Sequence, residues 1–205
     1  HENTRESIFE ALLRKETYAT TGPRMIVRAF GGYNFTEEDL VSDDFVSLGY
    51  RKGVPMGGDL VAQGDLPPSF LLMATKDPLG ANLDRIQVVK GWLEKGKRRE
   101  QVYNAVFDRD RKIDKNGKLE PVGNTVNLES ASYLNSIGNA ELSGIWVDPD
   151  FTPGQAAVYY VRVLEIPTPR WTLYDTVRYQ LRNVPEDIPK TIQERAYASA
   201  IWYLP

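Results

Sequence analysis

A short segment with two prolines carries the residue pair best suited to contact a ligand. Arg170 and Trp171 follow Pro167 and Pro169, whose rings restrict the backbone and hold neighbouring side chains in defined positions. A guanidinium donates paired hydrogen bonds to carboxylates and phosphates, and it also stacks on aromatic rings. The segment therefore predicts either an anion or ligand contact or an arginine stacked at a structural corner, and both interpretations stay open.

Two acidic segments have spacings that can be compared with known carboxylate chemistry. Asp108, Asp110 and Asp114 precede Asn116-Gly117, but an EF-hand register would place Lys112 at the first calcium-ligand position. Asn116-Gly117 therefore favours a tight turn over a calcium site.

A second acidic pair and a basic run have similarly ordinary explanations. Asp148 and Asp150 flank Pro149; paired carboxylates hydrolyse glycosides, but Asp-Pro is also a common start of a turn. The basic run at residues 95–99 suits a phosphate contact, and a solvated loop is the favoured interpretation.

Thiol and imidazole chemistry is nearly absent from the chain. It has no Cys, and its single His is His1, at a terminus. These counts exclude disulfides, thiolate zinc sites and Cys nucleophiles, and they leave no credible imidazole for a Ser-His-Asp triad. We therefore predict no catalytic residue, metal ligand or cofactor site within these 205 residues.

The charge and hydropathy of the chain limit its partners. Lys and Arg total 25 against 28 Asp and Glu, a net charge of -3, which argues against a nucleic-acid partner. No apolar run approaches the roughly 20 residues that span a bilayer. The four Trp and eleven Tyr include Trp146, Trp171 and Trp202, which either stack on sugars or, as we favour, pack internally.

Residue periodicity predicts one N-terminal helix followed by many short strands. A helix at residues 4–16 has Asn3 as its predicted cap, and residues 17–21 follow as a short strand. Residues 171–181 fit either a strand or a short helix and are left unassigned. The other predicted strands, each bounded by Gly, Pro or Asp, are 25–30, 45–50, 69–75, 84–92, 101–107, 141–147, 156–166 and 195–203.

This succession of short strands is typical of a sandwich or a barrel. Apolar residues alternate onto both faces of the 156–166 segment, which predicts a covered, central strand. We predict a mainly β fold: an immunoglobulin-like or similar β-sandwich with an N-terminal helix and few short helices.

Several sequence blocks resemble a known bacterial family. Residues 5–24, RESIFEALLRKETYATTGPR, resemble the last helix and strand of a PHP domain, the polymerase and histidinol phosphatase type of metallohydrolase. Six further blocks are similar to the C-terminal part of domain-of-unknown-function family 3604, and the likeness covers essentially the whole chain. These blocks are residues 52–60, 80–87, 90–92, 121–126, 166–171 and 191–197.

The resemblance implies a longer parent protein that is a metal-dependent hydrolase of an ester or phosphoester. The parent's N-terminal region would bind the divalent metals, so the resemblance transfers no metal ligand to this chain. Residues 1–23 would be the closing helix and strand of that missing α/β domain, and residues 24–205 the β-sandwich. The missing catalytic domain and a small anionic substrate are the implied partners.

The resulting interpretation is an accessory, structural β-sandwich that is not catalytic by itself. Arg24, at the end of the predicted strand, joins Arg170 and Trp171 as a candidate contact for an anionic substrate. The alternative is a carbohydrate- or protein-binding sandwich module that uses surface aromatic residues. The resemblance implies a periplasmic or exported location, on which composition gives no independent indication.

Overall fold

The computed structural model describes residues 2–205. The elements, in chain order, are α1 (Arg5–Leu13), β1 (Tyr18–Thr20), β2 (Ile26–Gly32), α2 (Glu37–Leu40), α3 (Phe45–Lys52), β3 (Gly53–Pro55), β4 (Asp59–Val61), β5 (Ser69–Thr75), β6 (Leu83–Glu94), β7 (Lys97–Phe107), β8 (Glu141–Val147), β9 (Ala157–Glu165), β10 (Thr168–Pro169), α4 (Trp171–Tyr179), β11 (Thr191–Ile192), β12 (Arg195–Ala198) and β13 (Ile201–Leu204).

Two antiparallel sheets build the fold. In the seven-stranded sheet A, the long strand β9 pairs on one side with β6, which in turn pairs with β7. On its other side β9 pairs with β12 and β13, which follow one another along the same edge. Strand β1 then pairs with β12, and β4 pairs with β13 in the one parallel contact of this sheet. Sheet B has the order β3-β2-β5-β8, and β10 and β11 form a separate two-stranded ribbon.

The main core lies between the two sheets. Strand residues alternate between faces, so the inward positions of β2, β5 and β8 meet those of β6, β9, β12 and β13. The largest fully buried side chains there include Phe70 from sheet B and Tyr159 and Tyr203 from sheet A. The predicted mainly β sandwich with an N-terminal helix and few short helices is confirmed, and β9 is central as predicted.

Helix α3 corrects one predicted strand. Residues 45–50 were expected to be extended, but Phe45, Leu48 and Gly49 have helical i, i+3, i+4 spacing and face sheet B. There the Phe30 ring meets the rings of Phe45 and Tyr50 edge to face, with centroids 6.3 and 5.2 Å apart. A second, smaller core therefore covers the outer face of sheet B.

Gly49 is the point of closest approach between α3 and sheet B. A Cβ atom at Gly49 would lie 2.4 Å from Cδ2 of the buried Phe30 ring. We expect Gly49→Ala to lower the free energy of unfolding by about 1–3 kcal/mol from overpacking, more than alanine's helix propensity returns. Urea unfolding measures this change. The exposed Val46→Ala in the same helix is the control, and equal stability of both variants would contradict the predicted close contact.

Other predicted boundaries shift by a few residues. Helix α1 ends at Leu13, and its cap is Thr4, whose Oγ1 accepts a hydrogen bond from the Ser7 amide at 3.2 Å, so the prediction of Asn3 is wrong. In the basic run, Lys95 and Gly96 form the turn of the β6–β7 hairpin, and residues 97–99 belong to β7, so the predicted loop is confined to the turn. Residues 171–179, left unassigned above, form α4.

The N-terminal segment joins sheet A directly. Residues Tyr18–Thr20 pair with Ala196–Ala198 of β12 as an outer strand. Helix α1 has no buried residue, and its apolar side chains Ile8, Phe9, Leu12 and Leu13 are exposed. The proposed domain boundary after residue 23 stays a prediction.

Candidate functional site

Arginine side chains gather on the outer face of sheet A. The register places Gln87 of β6, Arg162 of β9 and Tyr197 of β12 side by side in one row across three strands. Arg85 and Arg195 lie in the next row, separated by Leu164 of β9. We call these five polar residues, Arg85, Gln87, Arg162, Arg195 and Tyr197, the arginine face.

The Gln87 side-chain amide holds Arg162 in place. Its Nε and Nη2 donate hydrogen bonds to Oε1 of Gln87 at 2.9 and 2.7 Å. Gln87 in turn donates from Nε2 to Oδ1 of Asn104 on β7 at 2.9 Å. This chain orients the guanidinium without neutralising its charge.

Arg195 lies beside the Tyr197 phenol. Its Nη1 donates to the Tyr197 hydroxyl at 3.4 Å, and its Nε donates to the Gln193 carbonyl at 3.3 Å. Hydrogen bonding from Arg195, with a smaller contribution from Arg162, lowers the pKa of Tyr197 below its ordinary value. The lowered pKa reflects the positive charge on this part of the sheet.

One buried carboxylate partly balances the cluster. Asp84 is fully buried and pairs with Arg85. Its carboxylate accepts hydrogen bonds from Nη1 of Arg111 at 2.6 Å and from Nε2 of Gln193 at 2.8 Å. Burial lowers the pKa of Arg85, Asp84 opposes that change, and the positive charges of nearby Arg111, Arg162 and Arg195 lower it further.

Two arginines of this face keep their charge unpaired. Within residues 2–205, neither Arg162 nor Arg195 makes a salt bridge to a carboxylate. Arg85 and Arg111 pair with the Asp84 carboxylate, and the charges of Arg162 and Arg195 act on the neighbouring Arg85 without a carboxylate of their own. Such a surface stabilises a bound anion.

Two connected depressions border the arginine face. They have volumes of about 450 and 390 Å³ and share Pro167 and Gln193 in their linings. The first extends over Arg85 and Gln87, and the second reaches Arg195. We refer to the two together as the anion groove.

Arg170 lines the same groove, and its role as a ligand contact stays a prediction. Its guanidinium lies 5.4 Å from the centroid of the Trp171 ring, and its Nη1 donates to Oγ1 of Thr172 at 3.2 Å. Among the residues described it makes no salt bridge, and the Trp171 side chain is 64% exposed. The structure thus places Arg170 in one groove with Arg195, which residue types alone did not single out, whereas Trp171 contacts Arg170 but does not line the groove.

The groove also unites sequence blocks that lie far apart in the chain. Its lining takes residues from the blocks at 80–87, 121–126, 166–171 and 191–197 on which the family resemblance rests. Strand pairing and the loops over sheet A bring these four blocks together. Their separation in sequence hides the convergence until the fold is known.

Arg24 lies among different partners. Its amide donates to Oδ2 of Asp77 at 2.7 Å, its Nε lies 3.6 Å from the same oxygen, and its side chain is 81% exposed. None of these contacts is shared with Arg170 or Trp171. A role for Arg24 in steering an anion stays a prediction.

The two acidic segments are structural. Oδ1 of Asp114 accepts the amides of Asn116 and Lys118, and Gly117 has a positive φ of 77°, which confirms the predicted turn. Asp148 is buried with Lys90, whose Nζ lies 2.6 Å from Oδ2 of Asp148.

A hydrogen-bonded network surrounds the buried Lys90–Asp148 pair. The Tyr159 hydroxyl donates to Oδ2 of Asp148 at 2.7 Å, and Nζ of Lys90 donates to the Asp150 carbonyl at 2.8 Å. The Asp150 carboxylate accepts the Tyr103 hydroxyl at 2.7 Å. Burial, with the hydrogen bond to Asp148, raises the pKa of Tyr159 far above its ordinary value. These carboxylates therefore tie the loop after β8 to sheet A.

A further buried carboxyl, Glu165, ends β9. It is 1% exposed, and among the described residues its Oε1 has no hydrogen-bond partner. The pKa of Glu165 is raised to about 7, mainly by burial. The charges of Glu194 and Asp77 also raise this pKa, and the charge of Lys76 lowers it. This group titrates near neutral pH.

The three tryptophans chosen from the sequence have different surroundings. Trp146 packs against Phe70 and Tyr103, with ring centroids 5.6 and 5.0 Å apart, so it belongs to the inter-sheet packing. Trp171 and Trp202 are 64% and 48% exposed and remain accessible for stacking.

Neither a metal-binding group nor a membrane-spanning helix occurs in the described part of the chain. Across residues 2–205, no three His, Cys, Asp or Glu side chains form a group suited to hold a metal ion. In the same residues, none of the helices has the length and apolar character that a membrane crossing requires.

Comparison with known proteins places the chain in a family. Searches of curated proteins and of solved structures found no match. A family model described as "Protein of unknown function (DUF3604)" matches residues 1–205. Because this match covers the entire sequence, the chain belongs to the DUF3604 family of proteins of unknown function.

Proposed function

We propose that this chain is the accessory β-sandwich of a PHP-like, metal-dependent hydrolase, and that its anion groove binds the anionic part of the substrate. The chain is not catalytic by itself in this proposal. Divalent metals held elsewhere in the longer protein would activate water for hydrolysis of an ester or phosphoester.

One observation carries the anion-binding part of the proposal. Arg170 and Arg195 line the groove, and Arg162 donates hydrogen bonds to Gln87 of its lining. Within residues 2–205 none of the three arginines has a carboxylate partner. Amide, hydroxyl and carbonyl oxygens hold the three guanidinium groups, so their charges stay available. An oxyanion would supply the missing negative charge and accept paired hydrogen bonds.

The structure of the groove suits a positioning role. Arg162 and Arg195 stand on the regular strands β9 and β12, and Arg170 follows the short ribbon strand β10. Side chains on regular strands hold a ligand more precisely than side chains on mobile loops do. The groove would therefore fix the orientation of an anionic group while chemistry takes place beside it.

Titration of residues 1–205 with inorganic phosphate and sulfate tests the groove. We expect Arg195→Gln and Arg162→Gln each to weaken binding about tenfold or more, because a charge-assisted hydrogen bond contributes about 1.5–3 kcal/mol. Arg51→Gln is the matched control, since Arg51, on α3, is exposed and pairs with Asp44. Calorimetry at two salt concentrations measures the affinities, and binding should weaken with salt.

Two results would contradict this function. If the Arg195 and Arg162 variants bind phosphate as the unmodified chain does, the groove is not the anion site. The hydrolase part requires Mn²⁺-dependent release of phosphate from a phosphomonoester by the product of the complete gene. Equal turnover by residues 1–205 alone would show that the sandwich is itself the enzyme.

A further inference from the structure

A depression separate from the anion groove lies on the same outer face of sheet A, at the far end of β6 and β9. It has a volume of about 470 Å³. Gly91, Val158 and Trp202 form one row across β6, β9 and β13 beneath it. Leu93 continues the apolar surface along β6. We call this depression, with the charged residues Arg98 and Glu100 at its rim, the tryptophan trough.

The shape of the trough comes from small and half-exposed side chains. Gly91 contributes no side chain, and a Cβ atom there would approach Cγ1 of Val158 to 3.1 Å. Leu93 is 63% exposed, and Trp202 is 48% exposed although its chain neighbours Ile201 and Tyr203 are buried in the core. The Trp202 indole therefore lies beside an open apolar surface.

The rim of the trough offers both donors and acceptors. Cross-strand pairing sets Arg98 opposite Leu93 and Glu100 opposite Gly91. Within residues 2–205 neither charged side chain makes a salt bridge or a hydrogen bond, whereas the neighbouring Arg99 pairs with Glu94 at 2.8 Å. A sugar ring matches this arrangement, since its flat C–H face stacks on an indole and its hydroxyls bond to charged groups at the edge.

The trough and the arginine face are continuous. Tyr160 lies midway between Val158 and Arg162 on β9, and the Cα atoms of Val158 and Arg162 are about 13 Å apart along the strand. Burial is the main cause of the raised pKa of Tyr160. The charge of Glu100 raises this pKa further, and the charge of Arg162 lowers it. The Tyr160 phenol therefore lies within reach of both sites.

We propose that the outer face of sheet A binds an acidic oligosaccharide, with a sugar ring on Trp202 and a carboxylate or sulfate group on Arg162 and Arg195. This assignment rests on the proposed function and adds the class of ligand to it. The tryptophan trough and the arginine face together form one stripe along β9, with the trough at one end and the unpaired guanidinium groups at the other. The ligand therefore carries a flat apolar face and a negative charge.

The surface fits this ligand better than a lipid. An acyl chain is bound best where apolar walls surround it. The trough instead lies open on the sheet and is edged by Arg98 and Glu100. The hydroxyls of a saccharide use those two side chains, which a hydrocarbon leaves without partners.

Tryptophan fluorescence and calorimetry on residues 1–205 test the inference with three probes. These are a galacturonic acid trimer, a sulfated keratan tetrasaccharide, which carries no carboxylate, and the neutral trimer maltotriose. We expect at least one acidic probe to bind with a shift in emission and at least tenfold more tightly than maltotriose. The two acidic arms distinguish carboxylate from sulfate as the recognised group.

Variants at the two ends of the stripe locate the ligand. Trp202→Ala and Arg162→Gln should each weaken binding of that acidic probe about tenfold, since stacking contributes on the order of 1 kcal/mol and a charged hydrogen bond more. Tyr179→Ala is the matched control, because this aromatic residue is 62% exposed on α4, outside the stripe. Leu93→Gln replaces Trp202→Ala if the latter lowers the melting temperature.

The outcomes separate this inference from the proposed function. Unchanged binding of the acidic probe by the trough variants, or equal affinity for maltotriose, overturns the oligosaccharide assignment. Failure of both acidic saccharides to bind overturns it as well. In each case the anion groove still stands if phosphate binding depends on Arg162 and Arg195, and it falls only if that dependence is absent.

Discussion

Replacement of Lys90 by methionine is expected to lower the free energy of unfolding by about 3–5 kcal/mol. The Lys90 and Asp148 side chains are 3% and 0% exposed, and their charged atoms lie 2.6 Å apart. Methionine has a similar length but no charge, so Lys90→Met leaves the Asp148 carboxylate buried without its cation. Breaking a buried pair in this way is among the most destabilising single changes. Urea unfolding followed by tryptophan fluorescence measures the loss.

A double variant identifies the cause of that loss. In Lys90→Met/Asp148→Asn no charge remains buried at this position, and the Tyr159 hydroxyl still has an amide oxygen to which it can donate. We therefore expect the double variant to be more stable than Lys90→Met alone. A loss below about 1 kcal/mol for Lys90→Met, or no recovery in the double variant, would show that the pair is not a buried ionic contact.

The second large effect is a dependence of stability on pH through Glu165. Its pKa is about 7 in the folded chain, because burial and nearby Glu194 and Asp77 disfavour the ionised form, against 4.5 for an ordinary Glu. The folded state therefore holds this proton more tightly than the unfolded chain does. The stabilisation is complete below pH 4.5 and is lost as pH rises through about 7.

Glu165→Gln should remove this dependence. The difference in pKa corresponds to about 3 kcal/mol, so the variant should gain up to that much stability over the unmodified chain between pH 4.5 and 8. Unfolding curves at several pH values, with the exposed Glu129→Gln as the control, give the difference directly. A difference that stays constant with pH would mean that Glu165 does not titrate in this range.

Local patterns allowed most of the sandwich to be predicted. The predicted strands at residues 69–75 and 141–147 match β5 and β8 residue for residue, because runs of β-forming residues there end at clear turn residues. Helix α3 was missed because its eight residues are too few to separate helical spacing from alternation.

The candidate site was only half visible in the sequence. Arg170 and Trp171 were noticed because two prolines surround them. Arg162 and Arg195 are polar residues within β9 and β12, and alternation alone cannot tell which distant strand lies next to them. Lys90 posed the same difficulty, since its partner Asp148 follows a strand of the opposite sheet. Long-range pairing supplies this information, and no local pattern contains it.

Strands β12 and β13 share one edge of β9, yet residues 199–200 interrupt them and each carries a different outer neighbour, β1 or β4. This edge of the sheet thus consists of two separate strand pairs, β12 with β1 and β13 with β4. Amide protons in β1 can exchange with solvent through a small opening that leaves β4 closed. Tension on helix α1 would pass to the β1–β12 pairs and to the hydrogen bonds that Glu16 and Thr17 make with Tyr50 and Ser199, whereas Trp202 is held by its own pairing with Val158.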